Sequence, residues 1–142
     1  MRHNVLVVDD HEIVREGVKC VLANHPALHV CAEAKNGQEA VEKAVALKPD
    51  LVLMDISMPV MGGIEATRQI RRLSPTIKIV VLSLHDSPQI AEHAKKAGAN
   101  AYVNKSCSAE ILFKTILAAV EELDGSSVSV RHTDRTAVDA LS

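Results

Sequence analysis

Five short runs of β-branched and aliphatic residues alternate with segments of helical periodicity, and this constrains the fold of the 142-residue chain more than anything else in it. Val5-Leu6-Val7-Val8 is a continuous apolar run that ends in Asp9-Asp10. Over residues 11–24, Val14, Gly17, Val18, Val21 and Leu22 recur at helical spacing and predict one apolar face. Residues 28–34 read as a second strand, broken by Asn36-Gly37, and 38–47 as a helix turned inward through Val41, Ala44 and Val45. Leu51-Val52-Leu53-Met54-Asp55 is a third strand. A loop rich in breakers follows it, then a helix over 64–73 that Pro75 closes. Residues 77–84 form a fourth strand, Ser87-Pro88 starts a helix over 89–97, and Gly98 ends it. Residues 101–103 are a short fifth strand. Ser108 opens a last helix with Leu112, Ile116, Leu117, Val120 and Leu123 on its inner face.

Strands one, three and four are apolar on both faces, which a parallel sheet covered by helices on each side requires. Strict alternation of strand and helix then predicts a doubly wound α/β domain with right-handed crossovers. With 47% apolar residues the chain can bury a core without disulfides or metal. Phe113 and Tyr102 stand alone as aromatics, so that core is aliphatic. A net charge of −2 and no basic run argue against a nucleic-acid reader within these residues. No apolar run approaches the roughly 20 residues that cross a bilayer, so no membrane role is expected. Cys20, Cys31 and Cys107 form no C-x-x-C pair, which predicts a reducing, cytoplasmic setting with each cysteine a small buried hydrophobe. Residues 1–123 are expected to form one domain, and the polar stretch 124–142 a linker or tail.

Ligands of open α/β sheets bind beyond the carboxyl ends of the strands, where strand order reverses. Asp9 and Asp10 follow strand one, Asp55 ends strand three, and Ser83 and Lys105 follow strands four and five to the same edge. Two carboxylates about 4 Å apart repel by on the order of 4 kcal/mol at an effective dielectric near 20. Such a cluster persists by raising a pKa or by recruiting a cation. Its oxygen ligands, with no His or Cys counted among them, suit Mg²⁺. Each residue also has a plainer reading. Asp10 alone fits a helix cap, Lys105 a solvated charge, Ser83 a satisfied strand-end hydroxyl, and Tyr102 a half-buried strand aromatic. His29 and Cys31 share a strand face, but no second pair completes a zinc site.

Val7-Val8-Asp9-Asp10, Met54-Asp55-Ile56-Ser57-Met58-Pro59-Val60-Met61-Gly62-Gly63, Val81-Leu82-Ser83 and Tyr102-Val103-Asn104-Lys105, in this order, resemble the receiver domain of two-component response regulators. The opening Asp9-Asp10-His11-Glu12-Ile13-Val14-Arg15-Glu16-Gly17 is similar to the branch that carries a LuxR/NarL-type helix-turn-helix output domain. The resemblance implies a flavodoxin-like, CheY-like five-stranded sheet of order 2-1-3-4-5. It implies Asp55 as phosphoacceptor from a sensor histidine kinase. Asp10, Asp55, the main-chain carbonyl of Ser57 and Asp9 would hold Mg²⁺, with Ser83 and Lys105 on the phosphoryl oxygens. Ser83 and Tyr102 would act as the switch pair, altering the face of the fourth helix, fifth strand and fifth helix. A homodimer on phosphorylation, and DNA contact only through an output domain beyond these residues, also follow from it. Two positions depart from the family pattern. Leu84 replaces a common Ala and is expected to crowd the phosphoryl pocket, and Ser106 replaces a common Pro.

Two other classes of function compete. A Mg²⁺-dependent phosphatase with an aspartyl nucleophile tends to carry Asp-x-Asp after its first strand, whereas Asp55 is followed by Ile56-Ser57. A receiver-like interaction module that ignores phosphate would bind its partner equally well with Asn at position 55.

Overall fold

The computed structural model describes residues 2–84 and 87–121. The expected tail over 124–142 and the inward place of Leu123 lie outside the described residues. Ten elements alternate: β1 His3–Val8, α1 Glu12–Ala23, β2 Leu28–Ala34, α2 Gly37–Leu47, β3 Leu51–Asp55, α3 Gly63–Leu73, β4 Lys78–Ser83, α4 Pro88–Ala97, β5 Ala101–Asn104 and α5 Ala109–Glu121. The strands form one parallel sheet of order β2-β1-β3-β4-β5. Strand order therefore reverses between β1 and β3, where the acidic residues had been placed.

Alternation along each strand divides the core in two. Val5, Val7, Leu51, Leu53, Val80, Leu82 and Val103 pack against Leu22 of α1 and Leu112, Ile116, Ala119 and Val120 of α5. Leu6, Val8, Val52, Met54, Ile79, Val81 and Tyr102 face α2, α3 and α4 through Ala40, Val41, Ala44, Ala66, Ile70 and Ala94. The period of two that sends neighbours to opposite faces explains why these strands carry no polar alternation.

Helix ends follow local chemistry. The Asn36 side chain accepts the Glu39 N–H at the start of α2, and Ser87 accepts that of Ile90 at the start of α4. Gly98 ends α4 at φ 111°, a left-handed cap that suits glycine.

Three expectations about packing are corrected. Gly17 is exposed, with open space where a Cβ would stand, because the inner stripe of α1 runs through Val14, Val18, Val21 and Leu22. Val45 is 45% exposed, since Ala40, Val41 and Ala44 already fill the inward arc of α2. Cys20 is exposed and Cys31 and Cys107 half-buried, so none is fully buried, and only Cys107 of the three packs against a core cluster.

Candidate functional site

The site is assembled at the carboxyl edge of the sheet. The Asp9 N–H donates to the Ala34 carbonyl (3.0 Å), and Arg15 of α1 donates to the Asp9 carbonyl from its Nη1 (2.6 Å). Arg15 is itself held by Glu33 at 2.9 Å, so one guanidinium links α1, β2 and the end of β1. Beyond β3, the Ile56 N–H donates to the Leu82 carbonyl (3.1 Å) and the Gly63 N–H to the Ile56 carbonyl (2.9 Å). A Cβ on Gly63 would lie 2.0 Å from the Asp55 carbonyl oxygen, and one on Gly37 2.4 Å from that of Met61. These two glycines let α3 and α2 close on the loop that follows the phosphoacceptor candidate. Val60, in the same loop, sits at φ 69° with its side chain exposed, an uncommon backbone state for a β-branched residue.

Lys105 is presented by the turn after β5. Its N–H donates to the Ser83 carbonyl (2.7 Å), tying the ends of β4 and β5 together. Asn104 is buried, and its Oδ1 accepts the Ser106 N–H (2.8 Å) and hydroxyl (2.6 Å). Proline at 106 could make neither bond, which accounts for the serine there.

The Lys105 ammonium lies 2.7 Å from Asp9 Oδ2 and 2.9 Å from Asp55 Oδ1. Both aspartates are buried. Asp55 Oδ2 is a buried oxygen with no hydrogen-bond partner. Burial pushes the Asp55 carboxyl above its ordinary range, with Asp9 and Asp10 adding to the rise and Lys105 opposing it. For Lys105, burial acts to lower the pKa, but the ion pairs with Asp9 and Asp55 outweigh it and the net shift is upward.

Asp10 is more open and pairs with His11, whose Nδ1 lies 3.1 Å from Asp10 Oδ1 and 3.2 Å from Asp9 Oδ1. Among the described residues Asp9, Asp10 and His11 form a group whose geometry admits a metal ion. His11 was the residue sequence reasoning missed, since the donor set had been read as free of nitrogen. Adjacency to Asp9-Asp10 was its only signal.

The remaining expected residues fall around this centre. Ser83 is buried at the end of β4, paired in register with Asn104. Ser57 lies exposed two residues beyond Asp55. Tyr102 is buried at 7% exposure on the α4 side, not half-buried as its plainer reading had it. The side chain of Leu84 is 70% exposed, so it does not fill the pocket it was expected to crowd.

Comparison with known proteins points to one family. The family described as response regulator receiver domain matches residues 5–117. The transcriptional regulatory protein DegU of Brevibacillus brevis is 40% identical over 112 residues, covering 79% of this chain and 48% of DegU. The transcriptional regulatory protein LnrK of Bacillus subtilis is 45% identical over 114 residues, covering 80% of this chain and 51% of LnrK. Among solved structures, a LuxR-family two-component response regulator from Aurantimonas superposes with a TM-score of 0.81 at 38% identity, covering 84% of this chain and 86% of that one. The response regulator domain of CheB from Thermotoga maritima gives 0.79 at 35% identity, covering 85% and 98%. The chain spans about half the length of the curated relatives it matches.

Proposed function

The chain belongs to the response regulator receiver domain family, and on that premise we propose that it is a phosphorylation-controlled switch whose acceptor is Asp55. The observation that carries this reading is the Lys105 bridge. It holds Asp55 through Oδ1 and leaves Oδ2 buried and without a hydrogen-bond partner. That oxygen is the one to attack phosphorus in a phosphohistidine of a sensor kinase. The P–N bond breaks as the aspartyl P–O bond forms, and the leaving imidazole takes a proton.

The donor set fits a divalent cation. Buried carboxylate oxygens of Asp9, Asp10 and Asp55 lack hydrogen bonds, and one lysine faces Asp9 and Asp55. Asp10, Asp55, the Ser57 carbonyl and Asp9 would hold Mg²⁺. The ion supplies charge neutralisation for the entering phosphoryl oxygens. Lys105 keeps the acceptor in place and offers its ammonium to one phosphoryl oxygen, as a point charge does well. Ser83 donates its hydroxyl to another. Arg15 holds the Asp9 backbone, and Gly63 keeps α3 close enough to seat the acceptor loop.

These residues assist phosphorylation and dephosphorylation of their own domain, so the chain is a signalling element and not a turnover enzyme. Movement of Ser83 toward the phosphoryl group would free the Tyr102 side of the sheet and alter the face made by α4, β5 and α5. A helix-turn-helix output domain, as in the regulators it resembles, or a second copy of the chain, would read that face.

The reading is tested by intact mass after incubation with acetyl phosphate. Wild type with Mg²⁺ should gain one phosphoryl group, and chelation or Asp55→Asn should abolish the gain. No gain by wild type, or an equal gain by the variant, would overturn it.

A further inference from the structure

Lys105 carries its ammonium on a flexible four-carbon stem that has no fixed geometry of its own. Yet the side chain is only 11% exposed, and its ammonium meets Asp9 at 2.7 Å and Asp55 at 2.9 Å together. The direction in which that stem leaves the main chain must therefore be set by the turn that bears it. The residue before the lysine is out of place by local rules. Asn104 is buried at the end of β5, although asparagine is depleted in strands and an amide is costly to bury without partners.

The amide oxygen is spent on that turn. Asn104 Oδ1 accepts both the Ser106 N–H (2.8 Å) and the Ser106 hydroxyl (2.6 Å), and so closes across Lys105. The Asn104 carbonyl accepts the Cys107 N–H (3.0 Å), and the Lys105 N–H donates to the Ser83 carbonyl (2.7 Å). We propose that Asn104, together with Ser106, is a positioning residue for phosphoryl acceptance and acts through Lys105. The inference rests on the reading of Asp55 as the acceptor.

In the family pattern a proline ring stiffens the turn after the lysine, and here the side-chain clasp restrains the same position. A rotation at the Lys105 Cα is multiplied along the stem, so a loosened turn carries the ammonium away from its carboxylates. Misplacement by about 1 Å can cost on the order of 100-fold in rate, so a lysine that samples several positions assists acceptance poorly. The competing account makes the clasp a means of satisfying a buried amide, of consequence for stability alone.

Asn104→Leu separates the two accounts, because it keeps the size of the side chain and removes the acceptor. Burial of a leucine there should hold the melting temperature at or above that of wild type. Phosphoryl uptake from acetyl phosphate with Mg²⁺, followed by intact mass, should nonetheless slow by about tenfold. Ser106 is exposed, so its variants leave the core intact. Ser106→Ala removes one of the two donors and should slow uptake less, whereas Ser106→Thr keeps both and should retain the wild-type rate. Proton NMR reads the lysine directly. The two Lys105 Cε protons should have distinct shifts in wild type and merge in Asn104→Leu, where the stem turns freely. Wild-type uptake by Asn104→Leu, or slowed uptake with the Lys105 signature unchanged, would overturn the proposal. Wild type that takes up no phosphoryl group would overturn it together with the acceptor reading.

Discussion

Lys105 decides what two buried carboxylates can do. Without a cation between them Asp9 and Asp55 would repel, and one would be driven to the neutral acid. With the lysine present, burial still holds the Asp55 carboxyl above its ordinary 3.8. Ionising Asp55 therefore costs the fold stability. The cost is absent below the ordinary carboxylate range and fully present once pH has risen through the raised value of the folded protein. Asp55→Asn should accordingly melt higher than wild type at neutral pH, by on the order of 1 kcal/mol or a few degrees. The difference should close in acid. Thermal melts across pH check this, and a variant that melts lower at neutral pH would contradict it. Asp9, Asp55 and Lys105 were legible in the sequence because each ends or follows an apolar run whose direction the parallel sheet dictates. His11 and Arg15 were not, because their roles depend on how the turn after β1 folds back on the carboxylates.

At the scale of elements, strand and helix identity followed from periodicity, while which helical residues face inward depended on neighbours the pattern does not contain. Val45 belongs to the same periodic set as Val41 and Ala44, yet it rolls to the edge of α2 because Ala40 takes the inner place. The glycine at the start of α3 was read as a loop breaker, but its deeper constraint is contact. Gly63→Ala would set a Cβ 2.0 Å from the Asp55 carbonyl oxygen, so β3 and α3 must separate. A loss on the order of 3 kcal/mol is expected in chemical denaturation, with slower phosphoryl acceptance. A variant of wild-type stability would show that the loop yields easily. The α4 helix buries only Ala94 and Ala97, whereas α5 buries Leu112, Thr115, Ile116, Ala119 and Val120. Little apolar area holds α4 to the sheet. Its amides should exchange with deuterium faster than those of α5, and equal protection would show that α4 is held as firmly as α5.

For the molecule as a whole, the two-sided sheet brings the ends of β1, β3, β4 and β5 to one edge, and helices from both layers meet there through Arg15 and Gly63. On the proposed reading, a change at Asp55 is passed toward β5 through Lys105, which pairs with Asp55 and whose backbone is bonded to Ser83. To move a two-state equilibrium from 1:99 to 99:1, the phosphoryl group must favour one state by roughly 5.5 kcal/mol. A few charge-assisted contacts from Lys105, Ser83 and a divalent ion are of the right size to supply it. Strand order was inherited from the family resemblance and matches the structure. Output lay beyond what a single domain can reveal, because the surface that changes does not state what reads it.

The central claim is that the phosphoryl group resides on Asp55 as an acyl phosphate. Reduction with borohydride after incubation with acetyl phosphate and Mg²⁺ converts an aspartyl phosphate to homoserine, which peptide mass spectrometry can locate. The account predicts homoserine at position 55 in wild type and none when Mg²⁺ is withheld. Homoserine at another aspartate, or a stable phosphoryl group that borohydride does not remove, would contradict it.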